Sequence, residues 1–142
     1  MNVKMKVEGM AEIMSNLKTY STEMNDGVKK VINVGCLMIS SNAKKRCQKG
    51  PKSGEIYEKY NPRRTHQASA KGEAPATDTG NLVNGIQVEI EAGGMVGYIK
   101  SNAFYSNWLE FGTTKMKARP YMYPAYAQEV PAIIKELRAL GK

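Results

Sequence analysis

The chain of 142 residues is poor in the residue types that most often build reactive sites, with one histidine, two cysteines and one tryptophan. A structural zinc site takes four ligands, mostly cysteine and histidine, so these residues are too few to form one. The sequence has neither a G-x-S-x-G nucleophile elbow nor a G-x-x-x-x-G-K-[ST] phosphate loop. We therefore expect no metal and no cofactor.

Long hydrophobic runs are also missing, since no segment approaches the roughly 20 apolar residues that span a bilayer. The N-terminal stretch MNVKMKVEGMAEIM contains acids and no continuous apolar core, which is not typical of a secretory signal. Apolar residues make up 42% of the chain and charged residues 24%, as in soluble globular proteins. The sequence therefore predicts one domain over residues 1–142, made in the cytoplasm and without a membrane partner.

Positive charge is concentrated in one part of the chain. The net charge is +8, and residues 44–71 hold nine basic and two acidic side chains, a local net of +7. Such a segment is typical of a surface that meets a polyanion, although a solvated basic loop would have the same composition. Tyr57 and Tyr60 are too few aromatic residues for a base-stacking platform. Contact with nucleic acid would therefore involve the phosphate backbone, without sequence preference.

Hydrophobic spacing predicts an α+β protein with N-terminal helices, an antiparallel β-sheet and a C-terminal helix. The predicted elements are a short half-buried strand or extended N-terminal segment at 3–7, a short helix at 10–17, a long helix at 22–48 ended by Gly50-Pro51, a β-hairpin at 86–100, a short helix at 102–111 and a helix at 121–140. Pro131 is expected to kink or restart that last helix. Residues 50–80 have almost no apolar periodicity and are predicted to form a long basic loop, of a kind that is usually functional.

The long helix carries an unusually wide apolar surface. Val34, Leu37 and Met38 lie beside its main apolar stripe, which predicts a helix packed on more than one side. Cys36 and Cys47 are eleven residues apart, about 16 Å along the helix axis and on nearly the same face. That distance excludes a disulfide between them, so both are expected to be buried thiols.

The stretch HQASAKGEAPATDTG at residues 66–80 contains the only histidine. His66, Ser69 and Asp78 could in principle form a hydrolytic triad, but they lie in a segment predicted to be a loose loop, whereas catalytic groups need rigid support. Asp78 has a more ordinary interpretation, in which it or Thr79 caps a short helical turn beginning near Leu82.

The stretch LEFGTTKMKARPYMYPA at residues 109–125 combines aromatic residues with an acid and an arginine. Glu110 and Arg119 are predicted to form an ion pair across the intervening turn. This pair would determine how the neighbouring aromatic group is presented, namely Trp108, Phe111, Tyr121 and Tyr123. Such residues either fill the core of the domain or form a protein interface, where aromatics and arginine are enriched.

Three motifs in this order resemble those of the neck or tail-completion proteins of long-tailed bacteriophages and prophages. The motifs are HQASAKGEAPATDTGNL, AFYSNWLEFGT and RPYMYPA, and the resemblance covers about residues 10–140. The matching positions are His66, Ser69, Gly72, Pro75, Asp78, Gly80, Leu82, Tyr105, Glu110, Phe111, Gly112, Thr113, Arg119, Pro120, Pro124 and Ala125. Lys71 departs from the pattern, because members of the family commonly have proline there.

The resemblance implies a structural virion protein without enzymatic activity, which assembles in the host cytoplasm as a ring of six at the head–tail junction. Its implied partners are further copies of itself, head-completion or connector proteins, tail-terminator or tail-tube proteins, and the genomic DNA. The charge distribution makes Lys44, Lys45, Arg46, Arg63 and Arg64 candidates for the DNA channel. Candidates for subunit contacts are His66, Asp78, Gly80, Leu82, Trp108, Glu110, Phe111, Gly112, Arg119, Pro120, Tyr121 and Tyr123.

Two other functions remain open from the sequence. A free-standing, non-specific nucleic-acid-binding module would account for the positive charge, and it predicts salt-sensitive DNA binding by the monomer. An enzyme built around His66 is the third hypothesis, and it predicts turnover that is abolished in His66→Ala.

Overall fold

A computed structural model describes residues 10–142, with side chains from residue 12 onward. The first element is a single helix, α1, at Met10–Lys49. The prediction of two separate helices was therefore wrong. The residues between the two predicted helices contain neither glycine nor proline, and the Thr19 and Thr22 hydroxyls donate to the carbonyls of Ser15 and Lys18 within the helix. The strand or extended segment predicted at 3–7 lies outside the described residues.

The helix ends where Gly50-Pro51 predicted, and the C-terminal helix, here α4 at Met122–Ala139, packs along it. The two helices run antiparallel. A Cβ added to Gly27 would lie 2.9 Å from Leu140 Cδ2, and one added to Gly35 would lie 2.8 Å from Ile133 Cδ1. These two glycines therefore allow α4 to approach α1 closely. Helix α4 continues through Pro131, so the proline does not divide it.

Four strands form two separate antiparallel hairpins. Strands β1 at Ile56–Tyr60 and β2 at Arg63–Gln67 lie within the segment predicted to be a loop, so that part of the prediction was wrong. Their side chains are mostly charged or exposed, and for that reason apolar alternation did not reveal them. Strands β3 at Ile86–Ile90 and β4 at Gly97–Ser101 confirm the predicted hairpin at 86–100.

Two short helices connect these parts, α2 at Asn81–Gly85 and α3 at Ser106–Phe111. The predicted cap of α2 by Asp78 or Thr79 was wrong. The N-cap residue is Gly80, whose φ of 82° is in the left-handed region that favours glycine, and no side chain caps the helix. Asp78 is instead bonded to cations of the first hairpin.

The hydrophobic core lies where α1 meets α2, β3 and the start of α4. Its buried members are Ile39, Ala43, Cys47, Leu82, Val83, Ile86, Tyr121 and Ala125. Both cysteines are buried free thiols, as predicted. Burial raises the pKa of Cys36, and it raises that of Cys47 to about 11. The α+β class is confirmed, with a long N-terminal helix, two hairpins and a C-terminal helix.

Candidate assembly and nucleic-acid surfaces

The two turn-rich stretches, at residues 66–80 and 109–125, lie against each other. Arg119 Nη1 donates to Ser69 Oγ at 3.1 Å, and the Gly72 amide donates to the Ala118 carbonyl at 3.2 Å. They share a cavity of about 270 Å³ lined by side chains that include His66 and Tyr105. Ser69 is 1% exposed and is bonded to Arg119, which is not the geometry of a serine activated by a histidine.

Asp78 is the centre of a charged cluster that joins the first hairpin to the segment before α2. Lys59 Nζ donates to Asp78 Oδ2, Arg64 Nη2 lies 2.7 Å from Oδ1, and His66 Nδ1 lies 4.0 Å from the same oxygen. Lys59 and Arg64 are opposite each other in the hairpin. The hydrogen bond from Lys59 lowers the pKa of the Asp78 carboxyl, and the charge of Arg64 lowers it further.

The base of the first hairpin is fixed to the end of α1 by hydrogen bonds. Lys52 Nζ donates to the carbonyls of Arg46 and Ala74, at 3.2 and 2.8 Å. Glu73 Oε2 accepts from the backbone amides of Ser53 and Ala70, at 2.9 and 2.8 Å. The hydrogen bonds from Ser53 and Ala70 lower the pKa of Glu73. The segment that was predicted to be a loose loop is therefore attached at several points.

Glu110 caps helix α4 from a distance in sequence. Its carboxylate accepts the backbone amides of Tyr121, Met122 and Tyr123, at 2.9, 3.0 and 2.8 Å. A carboxylate at this end of a helix satisfies unpaired amides and interacts favourably with the helix dipole. The predicted ion pair with Arg119 was therefore wrong, because the acid bonds the backbone of α4 and Arg119 bonds Ser69.

The turn between α3 and α4 depends on Gly112 and places Pro120 at its end. Gly112 has a φ of 77°, and a Cβ at this position would lie 2.8 Å from the Ala118 nitrogen. The Arg119 amide donates to the Leu109 carbonyl at 2.7 Å, which brings the chain back towards α3. This turn brings the first amides of α4 to Glu110.

Aromatic side chains on and beside α3 face away from the core. Phe104, Trp108 and Phe111 are 82%, 52% and 80% exposed, and we call these three residues the aromatic surface. The rings of Phe104 and Trp108 meet edge to face, with centroids 5.9 Å apart. Tyr123, in the first turn of α4, is 70% exposed, whereas Tyr121 and Leu82 are buried in the core. The exposed members of the predicted contact group can therefore meet a neighbour, whereas Tyr121 and Leu82 support the fold.

The five DNA-channel candidates lie on two different elements. Lys44, Lys45 and Arg46 are in the last turns of α1, while Arg63 and Arg64 are in β2. Two of them have partners within the chain, since Arg46 donates to Asn42 and Gln128 and Arg64 pairs with Asp78. Lys45 and Arg63 are exposed, and Lys44 is half-buried.

Sequence reasoning missed several residues that position these surfaces. Lys52 and Glu73 were counted only as charges, although they bond backbone groups at the base of the hairpin. Gly27 and Gly35 were not recognised as the positions where α4 approaches α1. Their eight-residue spacing within an apolar stripe was the available signal, because small residues at such spacing permit close helix packing.

Residues 10–142 contain neither a candidate metal site nor a candidate membrane span. No group of three or more histidine, cysteine, aspartate or glutamate side chains there is placed to hold a metal ion. Within the same residues, no helix combines the length and hydrophobicity needed to cross a membrane.

The chain is an α+β protein with large exposed aromatic side chains on and beside α3. Comparison with protein families identifies the group to which it belongs. Residues 11–112 match the HK97-gp10-like family, described as "Bacteriophage HK97-gp10, putative tail-component". Because the match covers well over half of the chain, the protein belongs to this family of phage structural components. The matched region includes the first motif and all of the second except its last residue, Thr113, and it ends before RPYMYPA. No curated protein and no solved structure matched the chain.

Proposed function

We propose that this protein is a structural, non-enzymatic subunit of the phage neck, which joins or completes the tail at the head–tail interface of the virion. In this proposal the whole chain, residues 1–142, acts as one domain and forms a ring of six around the DNA channel. Its neighbours are head-completion or connector proteins on one side and tail-terminator or tail-tube proteins on the other. Membership of a family of phage tail components supports this role.

The aromatic surface is the observation that carries the proposal. Large aromatic side chains with half or more of their area exposed are unfavourable in water and are typical anchors of protein interfaces. The rings of Phe104 and Trp108 are in contact, and Phe111 follows Trp108 by three residues on α3. Glu110 on the same short helix is bonded to α4. A rigidly held aromatic patch loses little conformational entropy on binding, which favours assembly.

The basic side chains support the position around DNA. Lys44, Lys45 and Arg63 retain accessible charge at the end of α1 and on β2. Interactions in a channel must be weak and unspecific, since tight binding would hold the polymer that has to move. Backbone contacts by lysine and arginine have these properties, and their strength falls steeply with salt. The same charge favours the alternative, a non-specific nucleic-acid-binding module.

The aromatic surface can be tested in solution and in particles. Trp108→Ala and Phe111→Ala should each weaken self-association by at least about tenfold, measured by analytical ultracentrifugation, because interface anchors contribute more than 1 kcal/mol. Thr114→Ala, at an exposed polar site in the following turn, is the matched control. Phage lacking the gene should accumulate unjoined heads and tails in electron micrographs. Normal particles without the protein, or rings unaffected by both aromatic variants, would overturn the proposal.

The interaction with DNA has a separate readout. Replacing Lys44, Lys45 and Arg63 together by glutamine should lower the slope of log K against log salt by up to about three, because each phosphate group that is no longer neutralised lowers it by about one. Ring formation should remain unchanged. DNA binding by the isolated monomer that equals binding by the ring would favour the nucleic-acid-binding module instead.

A further inference from the structure

Helix α1 carries a heptad pattern of apolar residues, and the rest of the chain covers only part of it. Its members follow alternating steps of four and three residues, at Ile13, Leu17, Tyr20, Met24, Gly27, Val31, Val34 and Met38. Apolar residues at this spacing form the seam along which two helices pack knobs into holes. The seam continues for more than three heptads, which is long enough to indicate a helical partner.

Only the middle of this seam is covered. Ile133 of α4 lies against Gly35, and Leu140, the residue after the end of α4 at Ala139, lies against Gly27. Residues 12–26, which we call the arm, therefore extend beyond the end of α4. Every arm side chain except Met24 is exposed, and Ile13, Leu17 and Tyr20 are 53%, 62% and 55% exposed. At 1.5 Å per residue, the arm projects by about 22 Å.

The other end of the seam forms a groove between α1 and α4. Val34 and Met38 are 55% and 39% exposed, and they line two adjoining depressions of about 380 Å³ each. One depression also includes Val31, Ala132 and Ile133, and the other includes Leu37 and Lys45. We call this surface the groove. Val34, Leu37 and Met38, which widen the apolar surface of α1 in the sequence, are thus exposed side chains of the groove.

We propose that the arm of one copy of this chain packs in the groove of the next copy. Ile13 and Leu17 of the arm lie 21 residues, or three heptads, before Val34 and Met38 of the groove. The apolar side chains of arm and groove therefore have the same heptad spacing, as knobs-into-holes packing requires. A helix packed on the groove in this way would also extend the contact that α4 makes on the same side of α1.

Charge favours a second copy as the occupant. Residues 12–26 carry three acids and one lysine, a net of −2, whereas residues 27–142 carry eighteen basic and nine acidic residues, a net of +9. Glu12 and Glu23 lie on the arm, and Lys30 and Lys45 line the groove beside Glu136 and Glu129 of α4. The negative arm is therefore attracted to the positive body of a neighbour, and complementary potentials of this kind guide association.

The contact is directional because arm and groove are different patches. A heterologous contact of this kind closes into a ring when the rotation between subunits permits it. The inference rests on the proposed ring and names the helix that connects its members. One face of a helix about 22 Å long and about 11 Å wide buries on the order of 250 Å² on each partner, less than the about 800 Å² of a stable interface. One arm contact is therefore weak, and ring closure together with the aromatic surface stabilises it.

The experiment separates arm from groove. The arm variant is Leu17→Ser with Tyr20→Ser, and the groove variant is Val34→Ser with Met38→Ser, all at exposed positions where folding should survive. Thr19→Ser with Thr22→Ser is the control, since it changes the arm while keeping hydroxyls that bond the helix. Circular dichroism checks that each variant is folded. We expect self-association of both test variants to fall at least about tenfold by sedimentation, and the control to match the unmodified protein.

Mixing the two test variants provides the decisive result. The groove variant still has an intact arm and the arm variant an intact groove, so the mixture should form one-to-one pairs that neither variant forms alone, detected by cross-linking at high concentration. An arm variant that assembles like the unmodified protein, a mixture without pairs, or an unmodified chain that stays monomeric would each overturn the inference. If the arm variant assembles while Trp108→Ala does not, only the arm contact is wrong and the proposed neck function stands.

Discussion

The two hairpins of this protein have strands of equal length and the same antiparallel pairing, yet different forces attach them to the rest of the chain. In the β3–β4 hairpin, Ile86 is 1% exposed and belongs to the core, and Gly97 lies against Cys36 of α1. In the β1–β2 hairpin no residue is buried, and its links to the chain are the Asp78 cluster and the hydrogen bonds of Glu73 and Lys52.

The difference indicates how each hairpin responds to its surroundings. Apolar burial depends little on salt or pH, so β3–β4 should unfold only together with the core. Ion pairs at half-exposed side chains are weakened by screening, so β1–β2 can detach locally while the remainder stays folded. The hairpin that carries Arg63 and Arg64 is therefore the more adaptable of the two.

The largest expected effect comes from truncating the buried end of β3. Ile86→Ala should lower the free energy of unfolding by about 3 kcal/mol, because it removes buried methyl groups and leaves a cavity. Ile56→Ala, at a position 67% exposed in β1, should change it by less than about 0.5 kcal/mol. Urea denaturation followed by circular dichroism measures both. Equal destabilisation of the two variants would contradict the different attachment of the hairpins.

A smaller effect is expected from adding one methyl group to the second hairpin. In Gly97→Ala the new Cβ would lie 2.5 Å from Cys36 Sγ and 2.9 Å from Ile90 Cδ1, so the packing of β4 on α1 must shift. We expect the free energy of unfolding to fall by about 1–3 kcal/mol, as for other overpacked sites. Gly93→Ala, in the turn of the same hairpin, is the matched control because its Cβ would have no neighbour within 4 Å. If the Gly97 variant is as stable as this control, β4 does not pack closely against α1.

The smallest effect is local and depends on pH. The folded pKa of Asp78 lies below the ordinary value of 3.8, so its stabilising contribution is present above about pH 4 and is lost as pH falls through the folded pKa. Amide exchange in β1–β2, followed by NMR, should therefore accelerate below about pH 4 relative to exchange in β3–β4. Asp78→Asn should show faster exchange in β1–β2 already at pH 6 and a smaller pH dependence, with Glu73 contributing the remainder. If the amides of β1–β2 exchange equally slowly in that variant, Asp78 does not help to attach this hairpin.

Apolar periodicity predicted the elements whose side chains are buried. The end of α1, the β3–β4 hairpin and α4 each have a face that meets the core, and their spacing was therefore visible in the sequence. Strands β1 and β2 lack such a face, so the same method assigned them to a loop. The two predicted helices were not recognised as one because residues 12–23 are all exposed and have no buried face to show in the sequence. Polar residues there interrupt the apolar pattern without ending the helix.

The partners of the site residues were harder to predict than the residues themselves. His66, Asp78, Glu110 and Arg119 were selected from two short stretches, and the structure brings these stretches together. The predicted Glu110–Arg119 ion pair and the predicted cap of α2 by Asp78 were wrong, because these three side chains bond groups in other parts of the chain. Asp78 bonds cations in a hairpin that the sequence did not predict. Glu110 bonds backbone amides, and because every residue except proline has one, the sequence does not show which of them it would bond.

The bonds from Glu110 to the first turn of α4 make a mechanical linkage between two surfaces. Glu110 lies on α3 with Trp108 and Phe111, and α4 forms one wall of the groove through Ala132 and Ile133. A shift of α3, caused by a neighbour that contacts the aromatic rings, would be transmitted through these three hydrogen bonds to α4, a helix of 18 residues. In the proposed ring, contacts at the aromatic surface and at the groove would therefore be coupled through these bonds, so that successive additions of subunits would not be independent.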